Sequence, residues 1–389
     1  MKYDFDKVID RNGTAAVKLE EAKEVWGRAD LIPLWVADMD FATAPFVTEA
    51  IRKRCENEVL GYTGKPDSYY NAIINWVKQR YDLTVAKEMI NFVPGIVPGI
   101  GMAMNCFTRK GDKVMIQPPV YHPFAWITTR NERTLVTNPL KWENGMYRMD
   151  LDAFREQIKG CKLFILCNPH NPGGVVWREE ELSAIADICY DEKVLVFSDE
   201  IHADLTLPPH KHRPFATISE KARMNSVTFM SPSKAFNMPG LSASHAIIFN
   251  EELQRQFRTY IDAGELDMGH VFAFLSVEAA YSHGTEWLDQ CLAYIQGNID
   301  YVDEFLKFHT PKIKAIRPEA SYLVWLDCRE LGLTQEALND FFVDKAHLAL
   351  NDGAMFGKEG TGFMRLNVAS PRCILEKAMG QLAEAYQLV

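Results

Sequence analysis

Lys234 stands in Ser231-Pro232-Ser233-Lys234-Ala235-Phe236-Asn237-Met238-Pro239-Gly240-Leu241, just after the apolar run Val227-Thr228-Phe229-Met230 and just before a glycine turn. An amine in that setting suits condensation with an aldehyde and later service as a base. Asp199, in Phe197-Ser198-Asp199-Glu200-Ile201-His202, also follows an apolar run. Its carboxylate is expected to be partly desolvated and to want a cation such as a protonated pyridine nitrogen. A lone aspartate after a strand is more often a cap or turn residue. Asn168-Pro169-His170-Asn171-Pro172-Gly173-Gly174 closes the preceding apolar run with a rigid turn that can aim the Asn171 amide at a ring oxygen. Plain turn chemistry accounts for that segment equally well until Asp199 and Lys234 are set beside it.

Further residues extend the pattern. Val93-Pro94-Gly95-Ile96-Val97-Pro98-Gly99 opens an expected helix, whose first N–H groups at Gly95, Ile96 and Val97 suit a phosphate. Tyr121, after Gln117-Pro118-Pro119-Val120, suits stacking on a planar ring, or plain core packing. Tyr62 lies on the glycine-flanked loop Gly61-Tyr62-Thr63-Gly64, where a phenol is a surface residue unless it reaches a ligand or another subunit. Arg365, inside an otherwise apolar strand, needs an anion, either a substrate α-carboxylate or a structural salt-bridge partner. Together these groups read as a site for pyridoxal 5′-phosphate. A metal cluster of Asp199, Glu200, His202 and Asp204 is disfavoured because no second ligand group of known spacing accompanies it. His210-Lys211-His212 reads as a solvated loop.

Such groups converge only if a scaffold brings strand ends together. Between about residues 110 and 250, short apolar runs at 113–116, 162–167, 194–197 and 227–230 alternate with amphipathic stretches. This alternation predicts βαβ units and a mostly parallel sheet with ligands at the carboxyl ends of its strands. Residues 179–190 carry apolar side chains at helical spacing and supply a crossover. After Gly284, a long amphipathic helix (287–308) and strand-like runs at 321–326 and 362–368 predict a smaller C-terminal α/β domain. The expected division is an N-terminal segment, 1–45, packing with the small domain, a large cofactor-binding domain, 46–284, and the small domain, 285–389. A chain of 389 residues exceeds what one core normally supports.

Apolar residues at 47% and charged residues at 24% fit an ordinary globular enzyme. The net charge of -10, without a basic block, offers nucleic acid no electrostatic footprint. The eight scattered cysteines lack C-x-x-C spacing, as expected of reduced thiols in the cytoplasm. No apolar stretch predicts a leader or a membrane span.

The combination resembles, over essentially the whole chain, the fold-type I pyridoxal-phosphate enzymes of the class I/II aminotransferase superfamily. The resemblance is carried by S-x-S-K-x-F-N-x-x-G-L, N-P-H-N-P-G-G and S-D-E-I-H. Residues 34–41 (LWVADMDF), 198–205 and 363–372 look like the MalY/PatB branch, the cystathionine beta-lyases or carbon-sulfur lyases. It implies Lys234 as the Schiff-base lysine, Asp199 at the pyridine nitrogen, Asn171 near the phenolic oxygen, Tyr121 stacked on the ring and Arg365 on the substrate carboxylate. It further implies Gly95, Ile96, Val97 and Ser231 at the phosphate, and Tyr62 donated by the neighbouring subunit of a homodimer. Two positions depart from the wider pattern. His202, counted with the cofactor-binding residues, replaces an expected tyrosine, and Ser242 replaces an expected phosphate-binding arginine. Both departures are tolerated in the lyase branch. The implied activity is β-cleavage of L-cystathionine or related S-substituted cysteines, small amino-acid substrates. An aminotransferase and a cofactor-retaining regulatory protein are the alternatives.

Overall fold

The computed structural model describes residues 1–388. Seven strands form one sheet in the order Ile90–Val93, Ser244–Ile247, Ser226–Met230, Leu195–Asp199, Cys161–Cys167, Lys113–Ile116, Thr134–Thr137. Only Ser244–Ile247 runs antiparallel to its neighbours. The remaining pairings are parallel, so the sheet is of the mostly parallel α/β kind. The strands lack polar alternation because both faces are covered. Along Cys161–Cys167, Leu163, Ile165 and Cys167 enter one apolar cluster while Phe164 and Leu166 enter another.

The four runs predicted as strands between 110 and 250 are all present in this sheet, with ends moved by a residue or two. The predicted crossover helix spans Glu179–Asp191 and buries Leu182, Ile185, Ala186 and Cys189. Three glutamates in its first turn favour the positive end of the helix dipole. One of them, Glu181, also accepts the Arg178 N–H at 3.0 Å. A shorter connection joins Ile90–Val93 to the helix Ile96–Phe107 through Gly95, whose φ of 136° few other residues adopt.

C-terminal to this sheet, the helix Thr285–His309 buries Trp287, Leu288, Cys291, Leu292, Ile295, Ile299, Val302 and Leu306, a stripe at three- and four-residue spacing. A four-stranded antiparallel sheet follows, ordered Lys314–Ile316, Leu323–Asp327, Phe363–Asn367, Asn351–Asp352. The N-terminal segment is tied to this region. Ile32 pairs with Leu348 and Pro33 with Ala349, and Asn367 Nδ2 donates to the carbonyls of Val36 and Asp38, each at 2.7 Å. Lys18, 1% exposed, anchors the same segment through Asp40 at 2.9 Å. Among the described residues, no helix is long and apolar enough to cross a membrane.

Candidate active site

Parallel strands end their side chains and carbonyls along one edge, and there a cavity of about 220 Å³ opens. Its wall includes Gly95, Ile96, Val97, Tyr121, Asn171, Asp199, His202 and Lys234, residues scattered over 140 positions of sequence. Cys167 and Asp199 are register partners on adjacent strands, which sets the Asn168–Gly174 turn directly beside the carboxylate.

Lys234 Nζ donates to the Ala37 carbonyl at 2.5 Å. Burial, reinforced by Arg365 and only partly offset by Asp38 and Asp199, brings its amine down to about 8. Asp199 Oδ1 accepts the Ile201 N–H at 3.1 Å, and no protein cation lies within 4 Å of this carboxylate among the described residues. Burial pushes it up to about 7, and neighbouring Glu200 adds to the rise. This is the environment of an acid awaiting a cation, and a protonated pyridine nitrogen supplies one. Tyr121 lines the same wall, its phenol raised by burial and then by Asp199. His202 is held down to about 3 by burial and by the positive charges of Lys234 and Arg365, so its ring is neutral at physiological pH. Its Nδ1 has no partner.

Arg365 lies in the strand Phe363–Asn367, behind Asn171 and outside the cavity wall proper. Its guanidinium donates to Asn171 Oδ1 (3.2 Å), the Trp35 carbonyl (3.1 Å) and Asn351 Oδ1 (2.5 Å). Nε is buried without a partner, and no carboxylate lies within 4 Å, which removes the structural salt bridge as an explanation. Burial lowers it to about 10. A buried guanidinium held only by neutral acceptors retains affinity for an anion. By accepting at Oδ1, Asn171 leaves its amide N–H groups for the cavity.

The first turn of Ile96–Phe107 has no carbonyls four residues back for its N–H groups, and Ile96 and Val97 line the cavity together with Ser233, Ser242 and Ser244. Ser231, expected here, does not reach the wall. Its hydroxyl donates to the Ala243 carbonyl at 2.7 Å and sits 2.8 Å from Ser233 Oγ, so Ser233 is the hydroxyl presented to the cavity. Tyr62 is 99% exposed and contributes nothing to its own chain's cavity.

One local expectation is corrected. His210 and Lys211 are exposed, but His212 is buried, with Nε2 2.8 Å from Glu200 Oε2. Glu200 also accepts from Ser198 Oγ and the Phe215 N–H, both at 2.8 Å. It is thereby turned away from Asp204, which takes the Trp76 indole N–H and the Tyr81 hydroxyl. Sequence inspection also missed Ala37, whose carbonyl receives both Lys234 and the Tyr322 hydroxyl (2.9 Å). A backbone carbonyl leaves no residue-type signal.

The residues fit a planar, phosphorylated, aldehyde-bearing pyridine. The cavity joins an amine for the aldehyde, a buried acid for the ring nitrogen and a helix N-terminus with hydroxyls for the phosphate. Comparison with known proteins agrees. The sequence profile "Aminotransferase class I and II" matches residues 29–382. The chain is 40% identical to "Cystathionine beta-lyase PatB" of Bacillus subtilis over 98% of its own length and 99% of the relative's. It is 32% identical to "Protein MalY" of Escherichia coli over the full length of both. The crystal structure of cystalysin from Treponema denticola, which contains a pyridoxal 5′-phosphate cofactor, superposes with a TM-score of 0.96 at 33% identity, covering 100% of this chain and 99% of that one. The chain belongs to the class I and II aminotransferase family, in the branch that holds PatB and MalY.

Proposed function

We propose that the protein is a pyridoxal 5′-phosphate-dependent carbon-sulfur β-lyase that converts L-cystathionine, or a related S-substituted cysteine, and water into a thiol, pyruvate and ammonia. The observation that carries this is the enclosed Lys234 amine, lowered to about 8 and sharing one cavity with a buried Asp199 that has no cation within 4 Å. When bound, the cofactor supplies an electron sink for the carbon bearing the amino group.

In this reading Lys234 holds the cofactor covalently and, once freed by substrate, takes the α-proton at Nζ. Asp199 keeps the proton on the ring nitrogen. The Asn171 amide donates to the phenolic oxygen, Tyr121 covers the ring, and neutral His202 packs at the same wall. Ile96 and Val97 N–H groups, with Gly95 shaping their turn and Ser233 and Ser242 beside them, hold the phosphate. Arg365, with its unpartnered Nε, holds the substrate carboxylate. Loss of the thiolate from the β-carbon then needs no further cofactor. The test is incubation of cofactor-loaded protein with L-cystathionine and no oxo acid. Stoichiometric pyruvate and thiol are expected; turnover only after adding 2-oxoglutarate overturns the lyase in favour of an aminotransferase.

We further propose a cytoplasmic homodimer in which Tyr62 crosses into the neighbouring cavity. Support comes from the exposure of Val59, Leu60 and Tyr62 on one loop and from eight unpaired cysteines. The proposed division is 1–45, 46–284 and 285–389. It is supported by the pairing of Ile32–Pro33 with Leu348–Ala349 and by the break at Gly284 between helices Val271–His283 and Thr285–His309.

A further inference from the structure

A second cleft, of about 790 Å³, lies among residues 79–82, the loop 203–217 and Arg223, and shares no wall residue with the active-site cavity. Its charge opposes that of the molecule. Arg80, Lys211, Arg213 and Arg223 face one carboxylate, Asp82, in a chain with 42 Lys and Arg against 52 Asp and Glu. Asp82 is already paired with Lys78 at 2.5 Å, while Arg80 reaches Asp289 (3.5 Å) and Arg213 reaches Glu179 (3.2 Å). Lys211 and Arg223 have no carboxylate within 4 Å among the described residues, and the Arg223 guanidinium instead lies 5.1 Å from the centroid of the Phe249 ring.

His212 is a buried member of this wall. It is 8% exposed, and although Nε2 is engaged by Glu200, its Nδ1 has no partner. Unpaired cations in a concave site focus field and raise the local concentration of anions.

We propose that this cleft binds a small phosphorylated anion, with its phosphate between Lys211 and Arg223 and its remainder extending toward Tyr81 and His212. A guanidinium fork and an ammonium on one cleft wall match the several oxygens of a phosphate, and two unpaired cations match a dianion. The volume leaves room for a phosphoester or diphosphate. The site is separate from the cofactor's phosphate subsite.

The experiment is calorimetric titration of cofactor-loaded protein with pyrophosphate at fixed ionic strength, with citrate as the polycarboxylate comparison and chloride as the salt control. Saturable pyrophosphate binding is expected, weakened about tenfold or more in Lys211→Ala/Arg223→Ala. Citrate should bind more weakly. Because Arg223 covers Phe249, the exposed Lys211→Ala alone provides a variant that keeps the fold. Pyrophosphate heats equal to those of chloride, binding unchanged by Lys211→Ala, or tighter binding of citrate would each overturn the assignment.

Discussion

Lys234 and Asp199 titrate abnormally for the same reason, removal from water, but with opposite signs. The lysine's folded value of about 8 lies below its ordinary 10.5, so the free base is abundant just above neutrality. Turnover is therefore expected to rise with pH along a limb near 8, read from kcat profiles; a flat profile there would remove Lys234 as the base. Lys234→Ala should lower lyase turnover by at least about 10³-fold with an unchanged circular dichroism spectrum. Asp199 binds its proton more tightly when folded, at about 7 against an ordinary 3.8. Its favourable contribution is complete below 3.8 and is lost as pH rises through 7. In cofactor-free protein, Asp199→Asn should then gain stability over the wild type at pH above 7 and show no such gain near pH 4, measured by urea unfolding. Arg365→Lys keeps the charge but loses the fork, and we expect KM to rise about 10- to 100-fold with a smaller change in kcat.

At the scale of elements, the phosphate end depends on how closely Ile96–Phe107 approaches the sheet. A Cβ at Gly99 would lie 2.8 Å from Val93 Cγ2 and 3.3 Å from Phe229 Cε1. Gly99→Ala should therefore push the helix off the strand Ile90–Val93, destabilising the fold by about 1–3 kcal/mol and weakening cofactor retention. Urea unfolding and cofactor dissociation read the two effects separately. Strand and helix identities were legible in the sequence because both faces of the sheet are buried and the crossover helix has an apolar stripe. The close approach at Gly99 was not legible, since it depends on residues from two other elements.

At the scale of the molecule, the N-terminal segment stitches the small sheet to the cavity. Asn367 holds the Val36 and Asp38 carbonyls, and Asn237 holds those of Met39 and Phe41. Tyr62 is the residue whose role lies beyond one chain. If it completes the neighbour's site, mixed dimers of Tyr62→Phe and Lys234→Ala subunits should recover activity that neither parent has. Mixed dimers that form without recovery would sink the crossing, as would a fully active monomer by sedimentation.

Most of the candidate site was readable in the chain because each group is fixed by its immediate neighbours. Asp199 closes an apolar strand, Lys234 and Asn171 each come in the turn just after one, and the carboxyl ends of parallel strands lie along one edge of the sheet. What the sequence determined by itself was therefore the α/β pattern, the strand ends and the chemistry gathered there. Tertiary structure decided which hydroxyl, Ser233 or Ser231, faces the cavity and that His212 is buried on Glu200. It also decided that Arg365 lacks a carboxylate and that the Ala37 carbonyl receives the lysine. Each of those outcomes depends on contacts between segments far apart in the chain, which local patterns of residue type cannot encode.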